Sequence, residues 1–192
     1  MPKSYGQSFK KDFFIGYLYV SSQSDKDMYI GAAMITDLRG IPVEFKYIEP
    51  IRPSKLEKIL YGNAIEAYLK EELILQNLLK SIEKKPEVLI CQDVSLIAPA
   101  RSLLKTNVIS IERYAGSPLE SKGVFERLPD GESLLLQVEE VGPPIRVHFG
   151  STPQDVEVEA VLHALEEAAS FMDLFEPFQR IIKALDVVIE ES

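Results

Sequence analysis

The run "EVLICQD", residues 87 to 93, limits the fold more than any other stretch of this chain. It is continuously apolar between Pro86 and Asp93, as a strand buried on both faces must be. A strand of that kind belongs to an α/β fold, and the flanking segments supply the other elements. "FFIGYLYVSS" (13 to 22) is rich in aromatic and branched residues and predicts a first strand. "MYIGAAMITD" and "IPVEFKYIE" predict two more, joined at "DLRG", where Gly40 is free to take a positive φ. In the third strand Val43, Phe45 and Tyr47 alternate with Glu44 and Lys46, which predicts one buried face and one wet face. Pro50 and Pro53 should end that strand, since neither donates to a ladder.

Ser54 and Glu57 form a capping box that opens a helix through Leu56, Ile59 and Leu60, with Gly62 as its stop. Asn63 reads as the N-cap of a second helix, to about Lys84, whose apolar stripe is Ala67, Ile74, Leu75, Leu78 and Ile82. After "EVLICQD" come a short helix around Ala98 to Leu104 and the strand "NVISIER". The pattern changes after Tyr114. "VFERL" reads as a short strand, and "SLLLQVEEV" and "IRVHF" bracket "GPP" as a hairpin. Two helices follow: one over about Val156 to Met172, and one opened by Asp173, with Glu176 at the capping-box position and Pro177 in the first turn. The chain thus divides into an α/β core, 1–115, and a hairpin with an acidic helical extension, 116–192, packed on the same domain.

Composition removes several functional classes. The formal net charge is −9, and from Asp155 onward ten acids face only Arg180 and Lys183, a local balance of −8. Such a surface repels phosphate backbones and anionic lipid, so no non-specific nucleic-acid binding and no membrane association are expected. A single cysteine, Cys91, forbids an internal disulfide and sits in the apolar run as a buried thiol, which fits a reducing cytoplasm. "MPKSYGQSFKK" followed by "FFIGYLYV" imitates a secretory signal, but the apolar core is short and lacks a small-x-small cleavage site, so a cytoplasmic location is expected. There is no "HExxH", paired-cysteine spacing, "GxSxG", Walker loop or "GxGxxG".

Three antiparallel strands, a helix, a strand, a helix and a strand (β-β-β-α-β-α-β) is an order that resembles the ribonuclease H-like fold. Within it, "KPEVLICQDVSLIAPARSLLKTNVISIER" is similar to the corresponding stretch of endonuclease V. "TDLRGIPVEFKY" with "EPIRPSKLEKILYG" also looks like a bacterial family of uncharacterised activity whose members share that hairpin-to-helix passage. The fold expected is therefore a ribonuclease H-like mixed sheet with a C-terminal β-hairpin and two helices.

The first resemblance implies a test. Nucleases of that fold hold two divalent metals about 3.5–4 Å apart on carboxylates, one of them on the first strand. "FFIGYLYVSS" offers none, whereas Asp93 matches the acid at the end of the fourth strand and Glu112 lies near the end of the fifth. Asp93 and Glu112 are thus the candidate catalytic residues, Asp93 also the candidate metal ligand. Magnesium or manganese is implied only if the chain is a nuclease; otherwise no cofactor is expected. Asp37, beside the hairpin turn, reads as turn chemistry. His148 and His163 read as structural imidazoles.

Arg39, Lys46, Arg52 and Lys55 form a basic passage beside Phe45, Tyr47 and Tyr61, a composition suited to a phosphate-bearing ligand. The C-terminal helices carry enough apolar surface to cover the sheet of their own domain or to join a second copy as a homo-oligomer. Together these readings favour a non-catalytic binding or assembly protein on a nuclease-like scaffold. The alternatives are a metal-dependent nuclease and a small phosphate-ligand module.

Overall fold

Val88–Cys91 forms a strand, β4, whose four residues are all buried. The computed structural model describes residues 12–192, so the lysine-rich opening of the chain lies outside the described residues. β4 lies between β1 (Phe14–Gln23) and β5 (Asn107–Arg113), parallel to both. β1 pairs antiparallel with β2 (Met28–Asp37), and β2 with β3 (Pro42–Ile51), the strand at one edge. Beyond β5 the sheet continues through β8 (Ile145–His148), β7 (Ser133–Leu136) and β6 (Phe125–Arg127), all antiparallel. The C-terminal hairpin therefore extends the first sheet, and the order of the eight strands is β3-β2-β1-β4-β5-β8-β7-β6.

Helices cover both faces. On one, Leu18, Val20, Leu89 and Val108 pack against Ile74, Leu75 and Leu78 and against α4 (Ile97–Leu103). On the other, Ile15, Tyr17, Ile90 and Ile109 meet α5 (Asp155–Ala169) and α6 (Glu176–Glu191). α6 lies over β1, β2 and β3 and buries Ile181 and Leu185 there, leaving Ile182 and Val187 exposed. The C-terminal helices thus cover the sheet of their own chain.

Several local expectations change. β3 runs through Pro50 to Ile51 because it is an edge strand, where a missing N–H can face outward. Its burial also departs from the alternation read in sequence: Phe45 packs against the core as expected, but Val43 and Tyr47 are exposed and the Glu44 side chain is only 9% exposed. α1 (Lys55–Tyr61) has the capping box and stops at Gly62, but none of its residues is buried. Asn63 caps nothing, since Gly62–Ala64 is a 3-10 turn.

The next helix begins with α2 (Ile65–Ala67), passes through a π segment, Tyr68–Leu75, and ends with α3 (Gln76–Ser81). The wider π turn puts residues five apart on one face, so Leu69 joins Ile74 in the core although a 3.6-residue period separates them. Gly31 on β2 lets this helix approach, for a Cβ there would stand 2.4 Å from Ile74 Cγ2. At the start of α6, Glu176 pairs with Arg180 and makes no capping box; Asp173 instead accepts from the Phe175 amide, 2.8 Å.

Candidate functional site

The carboxyl ends of parallel strands are where open α/β sheets place ligands, and Asp93, Glu112 and Arg113 all lie toward that end here. The core reaches it first. Leu18 is the register partner of Cys91, both have no exposed surface, and the Gln92 amide donates to the Leu18 carbonyl at 2.9 Å. Asp93, one residue on, is exposed and caps a 3-10 turn by accepting from the Ser95 amide, 2.8 Å. Glu112 turns to the neighbouring antiparallel strand. Its Oε2 lies 3.2 Å from His148 Nε2 and 3.7 Å from Arg146, while His148 Nδ1 lies 2.9 Å from Ser133 Oγ.

Asp93 and Glu112 thus have separate partners, and the described first strand carries no acid. Among the described residues no group of three or more His, Cys, Asp or Glu is placed to hold a metal ion. The donor set does not fit a pair of divalent metals. Cys91 offers no nucleophile either, because burial, and then the nearby Asp93 charge, push its thiol pKa well above the usual value. His163 packs edge-on against Phe13, ring centroids 6.2 Å apart.

Beside these residues the sheet end opens into a cleft of about 440 Å³ between the end of β5, the 138–145 segment and the turn joining α5 to α6. Arg113 stands at its rim, its Nη2 3.1 Å from Asp173 Oδ2 and its guanidinium 4.3 Å from the Phe175 ring centroid. Phe171, Met172, Leu174, Pro143 and Pro144 supply the apolar wall. One wall is held by Gln137, a buried polar residue that hydrophobic patterning passes over. Its amide donates to the Glu139 and Gly142 carbonyls (3.0 and 2.9 Å) and accepts from Leu119 N (2.9 Å). No spacing in the sequence announces this cleft, because its walls come from three segments distant in sequence that the fold brings together.

The basic passage is dispersed. Asp37 Oδ2 holds Arg39 at 2.5 Å, and Asp37 Oδ1 accepts from the amides of Arg39 (2.9 Å) and Ile41 (3.0 Å). Asp37 is thus engaged in the turn. Lys46 pairs with Glu44 at 3.6 Å, while Arg52 and Lys55 are exposed at the entry to α1. Glu44 has a role that its alternating position conceals: its carboxylate accepts from the amides of Glu83 and Lys84 at 2.9 Å each.

No family model matches the chain, and no curated protein matches it, so the likeness of the hairpin-to-helix passage brings no family assignment. Solved structures do match. The endonuclease V of Bacillus subtilis is similar at 15% identity and a TM-score of 0.51, covering 84% of this chain and 71% of that one. The endonuclease V of Streptomyces avermitilis is similar at 14% identity and a TM-score of 0.53, covering 81% and 71%. The Ciona intestinalis endonuclease V, in complex with a 23mer DNA containing an inosine, is similar at 13% identity and a TM-score of 0.46, covering 80% and 77%. At such identities the likeness to the two bacterial endonucleases V shows the fold alone, and that fold is a ribonuclease H-like α/β fold. No helix among the described residues is long and apolar enough to cross a membrane.

Proposed function

We propose that this chain is a non-catalytic binding protein on a ribonuclease H-like scaffold. The observation that carries the reading is Leu18, a core residue packed beside Cys91 on the strand where a nuclease of this fold needs a carboxylate. Asp93, spent on capping a turn, and Glu112, paired with His148 and Arg146, support it. The ligand belongs in the Arg113 cleft. Its apolar part meets Phe171, Phe175 and Pro143, and an anionic group takes the place of Asp173 on the exposed Arg113 guanidinium.

The complex with DNA is a property of the Ciona protein. A net charge of −9 here supports weak non-specific attraction to nucleic acid. Assembly with a second copy would use Ile182 and Val187, the apolar residues that α6 leaves exposed.

The test is incubation with single- and double-stranded DNA and RNA, including inosine-containing strands, in millimolar magnesium or manganese. The reading expects no cleavage above buffer. Metal-dependent cleavage abolished by Asp93→Asn would restore the nuclease assignment.

A further inference from the structure

The opposite end of the sheet carries a second opening. β4 and β5 are parallel, so the loops entering them lie side by side there. These loops line two adjoining hollows of about 410 and 290 Å³ that share Lys85, Pro86, Leu104, Lys105 and Thr106. Lys84 joins the lining of the smaller hollow. None of these three lysines takes part in an ion pair among the described residues, whereas Arg39, Lys46, Lys58 and Lys70 all do. Glu83 and Glu87 also line the opening, which leaves it net positive on a chain of net charge −9.

The lysine-bearing backbone is pinned from two sides. Glu44 receives the amides of Glu83 and Lys84, and Thr106 Oγ1 donates to the Pro86 carbonyl at 2.7 Å, tying the two loops together. Lys84 extends over the Phe14 ring, 5.9 Å from its centroid. Unpaired ammonium groups on fixed backbone form a positive concavity, and its field concentrates anions. Lysine recognises phosphate as a compact point charge with several donors.

We propose that this groove binds a small ligand bearing two or more phosphates. The volumes suit a ligand of nucleotide size, and the acidic remainder of the surface weighs against a long polyanion. This site is independent of the Arg113 cleft and of whether the chain cleaves anything.

The experiment is calorimetric titration of the full chain with inorganic tripolyphosphate at low salt, alongside a short single-stranded oligonucleotide. Saturable 1:1 binding of tripolyphosphate is expected, weakened at least tenfold in Lys85→Gln/Lys105→Gln and unchanged in Lys183→Gln, a control on α6. Amide shifts at Thr106 and Asn107 should report the same site, and an unchanged melting temperature should show that the double variant folds. Absence of saturable binding, or equal loss in the control, would overturn the proposal. So would tighter binding of the oligonucleotide through the same lysines, which would make the groove a strand-binding surface.

Discussion

Leu18 lies opposite Cys91 where β1 and β4 run side by side, and neither residue reaches solvent. This contact belongs to the core, and its burial fixes what substitutions can do there. Leu18→Ala should cost about 2–5 kcal/mol, as cavity-forming changes do. Leu18→Asp, which would put a carboxylate on the first strand, should abolish the cooperative unfolding transition, since an unpaired buried charge exceeds the stability of an ordinary domain. In native buffer Cys91 should resist a thiol reagent and react fully only in denaturant. Fast native reaction would contradict its burial.

Tyr17 occupies the other face of the same strand. Its ring meets Phe178 edge-on at 5.3 Å, yet its buried hydroxyl has no hydrogen-bond partner among the described residues. Burial drives its phenol pKa far above the ordinary value, with Arg180 pulling the other way. Tyr17→Phe should therefore raise stability by about 1 kcal/mol, about 2–4 °C in a chain of this length. The sign with pH follows. A folded-state pKa above the unfolded value keeps its stabilisation below about pH 10 and loses it as pH rises further. Tyr17→Phe should flatten that alkaline slope in thermal melts.

Asp37 acts at the opposite extreme of pH. Burial alone would raise its pKa, but the hydrogen bonds from the Arg39 side chain and from the Ile41 and Arg39 amides outweigh it and hold the carboxyl below its usual value of 3.8. The stabilisation is present above the unfolded pKa and lost as pH falls through the folded one. Melts from pH 7 down to 2.5 should fall below about pH 4, and Asp37→Asn should remove part of that fall. Other lowered carboxyls keep part of it, among them Asp130, held down chiefly by the Glu132 amide, and Glu57, held down chiefly by the Ser54 amide.

The order of elements along the chain was legible because buried parallel strands and their caps leave local marks, whereas the joining of the C-terminal hairpin to the same sheet was not. "EVLICQD" between Pro86 and Asp93, the Ser54–Glu57 box and Gly62 each act through nearest neighbours. Burial along β3 departs from simple alternation because an edge strand is covered only where another element reaches it. α6 reaches Phe45, while Glu44 turns inward to amides 39 and 40 residues away. The π segment was hidden for a related reason: its five-residue spacing serves Leu69 and Ile74 through packing on Gly31, not through the helix alone. Asp93 lies just past the end of β4 and caps the following turn through the Ser95 amide, chemistry that an aspartate after a buried strand announces by its residue type. The Arg113 cleft and the lysine groove join segments distant in sequence, so neither left a motif.

The most direct test of the central claim, that the scaffold lacks a divalent-metal site, is thermal unfolding with and without millimolar manganese or magnesium. It should be run on the wild type and on Asp93→Asn. A ligand at about 100 times its dissociation constant adds roughly 2.7 kcal/mol, a shift of about 5–10 °C for a chain of this size. The account predicts no shift of that size in either protein. A shift present in the wild type and lost in Asp93→Asn would contradict it.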